Sequence, residues 1–112
     1  MLSRMISFDD FKKVEMKTGR VSAAEPVADS AKLLRLEVEF GEDDKRQVVA
    51  GVAPYFPNPS DLVGRDYLFV TNIPPRTIMG LESRAMIVAL SDGGTLALLT
   101  PTAAVPPGTK AS

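Results

Sequence analysis

The sequence predicts an all-β fold, a five-stranded Greek-key barrel with a short N-terminal helix and a helical turn between strands 3 and 4. Three observations predict it. The apolar residues of the central chain recur with period two, glycine- and proline-rich turns separate the runs, and only one amphipathic segment near the start has helical spacing.

The helix comes first. Ser7 is a good N-cap, Asp9 and Asp10 sit in the first turn where the helix dipole favours carboxylates, and Ile6 and Phe11 occupy the two staple positions. A helix from Phe8 to about Val14 follows, with Phe8 and Phe11 on one face expected to plug one end of the core. From Glu15 the period is two, and Gly19 interrupts the run before Arg20-Val21-Ser22-Ala23-Ala24, the mark of a bulge or sharp coil in a first strand.

The second strand has the plainest pattern in the chain. Leu34, Leu36, Val38 and Phe40 point one way, and Arg35, Glu37 and Glu39 the other. Gly41-Glu42-Asp43-Asp44 is a polar turn, and Lys45 to Val52 reads as the returning strand of a hairpin. Pro54, Pro57 and Pro59 make the next segment a connector with a helical turn at Ser60-Asp61-Leu62-Val63, Tyr55 and Phe56 folding back on the core. Arg65 to Thr71 and Ala85 to Leu90 read as buried strands. Between them lies Asn72-Ile73-Pro74-Pro75-Arg76-Thr77-Ile78-Met79-Gly80-Leu81-Glu82-Ser83-Arg84, a loop stiffened by two prolines and bearing two arginines. Asp92-Gly93-Gly94 is a tight turn, Thr95 to Thr100 a last strand, and the proline-rich tail is expected to be irregular. A glycine in the first strand, a long second strand and a helical connector after the third favour the barrel known as the OB-fold over a sandwich fragment.

With 112 residues, one core is expected, burying roughly 60 to 70% of the surface of the unfolded chain, so residues 1–112 form a single domain. Cysteine and histidine are absent, which removes thiolate chemistry, the usual zinc ligand sets and the usual general base. No nucleophile sits beside a base, so the chain is expected not to be an enzyme and to use no cofactor or metal. No apolar run approaches the roughly 20 residues that span a bilayer, and Met1 to Ile6 hold no secretory leader; a cytoplasmic protein without membrane contact is expected. Net charge is −1. Residues 1–44 carry seven basic against ten acidic side chains and residues 45–112 six against four, so a polyanion site would be a local patch in the second part.

The residues carry a further signal. F-x-K-V-x-M-K-x-G at 11–19, K-L-L-R-L at 32–36, V-V-A-G-V at 48–52, L-V-G-R at 62–65 and N-I-P-P-R…G-L-E-S-R-A-M at 72–86 resemble the tRNA-binding domain family, over almost the whole chain from about Ile6 to Lys110. That family includes the C-terminal domain of bacterial methionyl-tRNA synthetases and free-standing counterparts. The resemblance implies an OB-fold that binds tRNA with little sequence specificity, a homodimer built with help from the terminal segments, and an accessory role like that of a methionyl-tRNA synthetase beta subunit, acting in trans with a synthetase. It also implies an RNA-binding surface of Lys32 and Arg35 from the second strand, Asn72, Pro75 and Arg76 from the loop start, and Ser83 and Met86 from its end.

The chemistry of those side chains suits the roles. Lys32, Arg35 and Arg76 can neutralise phosphates, Asn72 and Ser83 can hydrogen-bond to bases or ribose hydroxyls, and an exposed Met86 offers an apolar platform beneath a base. Relatives often carry lysine or arginine where this chain has Thr77, Ile78 and Met79, which predicts fewer released counterions and a shallower salt dependence. The alternative is an export chaperone of the CsaA type, similar in fold and dimer but binding unfolded polypeptide, to which exposed Ile73, Ile78, Met79 and Leu81 would be suited. Arg46 to Ala53 lies closer to the synthetase-linked pattern.

Overall fold

The computed structural model describes residues 4–112. The reading of Met1 to Ile6 as lacking a leader falls partly on residues 1–3, outside the described ones. Helix α1 spans Phe8–Lys12, and the strands are β1 Met16–Pro26, β2 Leu34–Glu39, β3 Arg46–Ala50, β4 Asp66–Val70, β5 Arg76–Ile78, β6 Leu81–Ser83, β7 Met86–Ile87, β8 Ala89–Ser91 and β9 Leu96–Leu98. Five of them form one antiparallel sheet in the order β3-β2-β1-β4-β7, and the hairpins β5–β6 and β8–β9 complete the strands. The fold is an all-β OB-type barrel.

The sheet curls because β1 serves two partners. Met16 to Arg20 pair with Val70 to Asp66 of β4, and Arg20 to Pro26 pair with Glu39 to Leu34 of β2. The register breaks between Val21 and Ala23, leaving Ser22 as the extra residue of a bulge whose hydroxyl donates to Glu37 O at 3.2 Å. This corrects the sequence reading, which put the irregularity at Gly19. Gly19 is paired regularly with Tyr67, and the reason for glycine is space: a Cβ there would lie 2.5 Å from Val38 Cγ1 and 2.6 Å from Phe40 Cε1. The barrel wall closes tightly only where one side chain is missing.

The core follows the alternation of β2. Leu34, Leu36, Val38 and Phe40 are buried and meet Val21, Val48 and Phe69, with the Phe40 and Phe69 rings edge to face at 5.2 Å. Opposite them, Arg35, Glu37 and Glu39 are only half-buried. After β3 the proline-bearing connector forms two 3₁₀ turns, Ala53–Tyr55 and Pro59–Leu62. Leu62 is buried and Phe56 packs against the core, but Tyr55 stays exposed.

The two ends of the chain and the run after the hairpin refine the sequence reading. Helix α1 keeps its Ser7 cap, whose hydroxyl accepts from Asp10 N at 3.0 Å, yet Phe8 is 73% and Phe11 47% exposed, so they do not plug the core. The tail is irregular, as expected, apart from a bridge between Lys17 and Lys110, and it is also anchored: Thr18 N donates to Thr109 O at 2.9 Å, Gly108 N to Thr18 O at 2.7 Å and Ala111 N to Met16 O at 2.8 Å. Tail and helix thereby flank the first half of β1. The presumed run Ala85 to Leu90 divides between β7 and β8, which pair with different strands.

Candidate nucleic-acid interface

The proline-rich stretch is a hairpin. Ile78 and Leu81 pair across a two-residue turn in which Met79 and Gly80 both have positive φ, 49° and 79°. That is the geometry of the tight turns whose twist matches β-strands. Glycine supplies one left-handed residue at no steric cost, and Met79 adopts the other, its side chain 56% exposed. In this short antiparallel pair Arg76 lies opposite Ser83 and Ile78 opposite Leu81, while Thr77 and Glu82 project from the other face.

The hairpin is fastened to β3, and this closes the barrel. Arg84 N donates to Gln47 O at 2.8 Å, Gln47 Nε2 to Glu82 O at 2.9 Å and Val49 N to the Ser83 hydroxyl at 3.0 Å. Ser83 then donates to Ala85 O at 3.1 Å and is only 6% exposed. A side-chain hydroxyl here does what a backbone carbonyl would do in a regular ladder. Between β3, the hairpin and β7 lies a groove of about 270 Å³, lined by Leu33, Val49, Ile73, Ile78 and Met86 among others, with Arg76 its only charged residue and no carboxylate in its walls.

The seven residues expected from the sequence fall into different situations. Arg76 is exposed, lines the groove and has no ion-pair partner among the described residues. Met86 is 48% exposed and also lines it, and Pro75 is exposed at the entrance to β5. Lys32 is exposed but precedes β2, which begins at Leu34; it adjoins the groove through its neighbour Leu33, and its carbonyl accepts from Ala53 N at 3.0 Å.

Arg35 sits on β2 with its guanidinium engaged by Glu25 at 2.7 Å, Glu37 at 3.8 Å and the Gln47 amide oxygen at 3.4 Å. Asn72 lies where β4 ends, and its side chain accepts from Glu15 N at 2.8 Å and donates to Lys13 O, tying the end of α1 to the barrel. Ser83 is the latch just described. The groove therefore brings together Arg76, Met86 and Ser83, with Lys32 beside it, while the polar groups of Arg35, Asn72 and Ser83 are already partnered. Leu33, Val49 and Ile73 are groove residues that the expected surface omitted; the period-two register of β5, had the hairpin been read, would have placed Ile78 beside Arg76.

Other cations are also committed. Arg46 holds Glu42 through both Nε and Nη2, donates to Thr71 O at 2.8 Å and lies over the Phe40 ring at 5.2 Å. These bonds keep the Glu42 carboxyl below its ordinary value, against the opposing effect of burial. Glu15 is likewise lowered, chiefly by the Thr71 hydroxyl at 2.7 Å. Arg20 makes a two-pronged pair with Asp66 at 2.9 and 3.1 Å. Among the described residues no group of histidine, cysteine or carboxylate side chains is arranged to hold a metal.

The family model described as "Putative tRNA binding domain" matches residues 16–110, which include every strand and the whole groove. The chain belongs to this tRNA-binding domain family. Methionine–tRNA ligase of Methanoregula boonei is 49% identical over 106 residues, covering 95% of this chain and 15% of the ligase. That of Thermotoga maritima is 44% identical over 107 residues, covering 96% and 17%. The chain thus spans less than a fifth of the length of these relatives, matching one part of each. Two solved structures share the fold along nearly all of both chains. The methionyl-tRNA synthetase related protein of Pyrococcus horikoshii superposes with a TM-score of 0.89 at 33% identity, covering 97% of this chain and 99% of that one. The chaperone CsaA of Bacillus anthracis superposes with 0.84 at 33% identity, covering 96% and 99%.

Proposed function

We propose that this tRNA-binding domain binds tRNA as a non-catalytic accessory factor, with little sequence specificity, through the groove between β3 and the β5–β6 hairpin. The observation that carries the reading is Arg76, an exposed guanidinium without an ion-pair partner among the described residues, at the rim of a groove free of carboxylates. A cation so placed can neutralise a phosphate without first giving up a protein partner. Lys32 is a second cation of the same surface, and Pro75 stiffens the approach to Arg76. The partner would be a methionyl-tRNA synthetase acting in trans, in the cytoplasm. Among the described residues no helix is long and apolar enough to cross a membrane.

A homodimer fits the same reading. Phe8 and Phe11 leave an apolar face on α1, continued by Val14, Met16 and Ala111 around a cleft of about 270 Å³. Two copies joined there would present two RNA surfaces and raise avidity through effective concentration alone. Titrating unacylated tRNA into the protein at several salt concentrations tests the proposal. Binding should weaken as salt rises, and Arg76→Ala should weaken it further; binding that is absent, or indifferent to salt, refutes it.

Two observations favour a second reading: the groove is mostly apolar, and a fold neighbour is a chaperone. Unfolded polypeptide would be the ligand in that case. Suppression of the aggregation of a denatured protein, measured beside tRNA binding, separates the two.

A further inference from the structure

We infer that the groove takes a single unstacked nucleotide, its base against the apolar walls and its phosphate at Arg76, rather than a face of double-stranded RNA. This rests on the tRNA-binding reading and narrows it to the unpaired parts of the RNA.

Shape supplies the first argument. An A-form duplex presents phosphates along convex ridges; its major groove is too deep and narrow for side chains, and its minor groove is broad and shallow. A protein meets such a surface with a flat or projecting cationic face. Here the feature is a concavity of about 270 Å³, which a duplex cannot enter and a splayed base can.

The lining supplies the second. Leu33, Val49, Ile73, Ile78 and Met86 are apolar, and the polar side chain lining the groove besides Arg76, Ser83, has its hydroxyl bonded to Val49 N and Ala85 O. Such walls desolvate and stack a base without reading its edge, because every base has an apolar π-face. Met86 is suited to this, being half-exposed, flexible and polarizable.

The number of cations supplies the third. Beside the groove Arg35 is spent on Glu25, which leaves Arg76 at the rim and Lys32 next to it as the groove's own cations, while Lys45, Arg65 and Lys110 line other clefts. Two phosphate contacts to a single strand predict a slope of log K against log salt of about −1.4, whereas a duplex held by six contacts gives about −5.

The test compares three probes on the full chain: a single-stranded RNA of about 12 nucleotides, the same strand in a blunt duplex, and unacylated tRNA. The single strand should bind with a slope near −1.4 and displace tRNA, and the duplex should bind at least tenfold more weakly. Met86→Ala, a change at an exposed position, should lower single-strand affinity severalfold and leave residual duplex binding as it was. If tRNA binds but the single strand neither binds nor competes, the nucleotide seat is wrong and the tRNA reading stands. If Arg76→Ala weakens the single strand while Met86→Ala and Ile78→Ala do not, the base lies elsewhere and the inference falls. If no RNA binds while unfolded polypeptide does, both readings fall together.

Discussion

Replacing Ser83 by alanine separates a latch from a reader. The hydroxyl accepts from Val49 N at 3.0 Å and donates to Ala85 O at 3.1 Å, with Ser83 and Val49 each 6% exposed. In Ser83→Ala the Val49 N–H loses its partner where water has little access, and a buried donor left unsatisfied costs about 1–3 kcal/mol. In a domain of this size a loss of 1 kcal/mol lowers Tm by about 4 °C, so the melting temperature should fall by roughly 4 to 12 °C. Urea unfolding should show the same loss as a lower midpoint with an unchanged slope, since the surface exposed on unfolding is hardly altered. Arg76→Ala is the control. It removes an exposed side chain without an ion-pair partner among the described residues and should change stability by less than about 0.5 kcal/mol while weakening tRNA binding. The reasoning is refuted if Ser83→Ala unfolds at the wild-type urea concentration yet loses as much tRNA affinity as Arg76→Ala. Ser83 would then contact RNA directly.

Three more expectations can be checked by simple means. Gly19→Ala brings a methyl within 2.5 Å of Val38 and 2.6 Å of Phe40, both core residues, so overpacking should cost about 1–3 kcal/mol in urea unfolding; a neutral result would mean that β1 can move away from β2 at that point. The Glu42 carboxyl has a folded pKa below its ordinary value of 4.5, so its contribution to stability is present above pH 4.5 and is lost as pH falls through the lower folded value. Glu42→Gln should therefore lower the urea midpoint at pH 7 and lower it progressively less as pH is taken below 4.5, and an effect that does not shrink with pH would rule out ionisation as the source. Asn72→Ala removes the bonds to Glu15 N and Lys13 O, so amide exchange should quicken at Glu15 and around α1 while the β1–β2 amides keep their protection. A fall in tRNA affinity without that change in exchange would make Asn72 an RNA contact.

Where the sequence was legible, local periodicity was the reason. The alternation of Leu34, Leu36, Val38 and Phe40 against Arg35, Glu37 and Glu39 determined a half-buried strand, its core face and its hairpin with β3, because side-chain direction in a strand depends only on parity. Ser7, Asp9 and Asp10 likewise determined the start of α1, through backbone groups within one turn. The ordered motifs from Phe11 to Met86 determined the family, and the absence of histidine and cysteine narrowed the available chemistry. What lies across the chain was decided elsewhere. Whether Phe8 and Phe11 face core or solvent depends on what packs over them, and here they line an open cleft shared with Lys110 and Ala111 of the tail rather than entering the barrel core. Gly19 reads as a break in one strand, but its cause is the approach of Val38 and Phe40 from the next. The arginines look alike in sequence; only the fold brings Asp66 to Arg20 and Glu25 to Arg35 while no carboxylate among the described residues reaches Arg76, and only barrel closure turns Ser83 inward to hold Val49. Charge and hydrogen-bonding capacity are properties of a residue, but their availability to a ligand is set by partners far away in sequence, and those only the tertiary structure supplies.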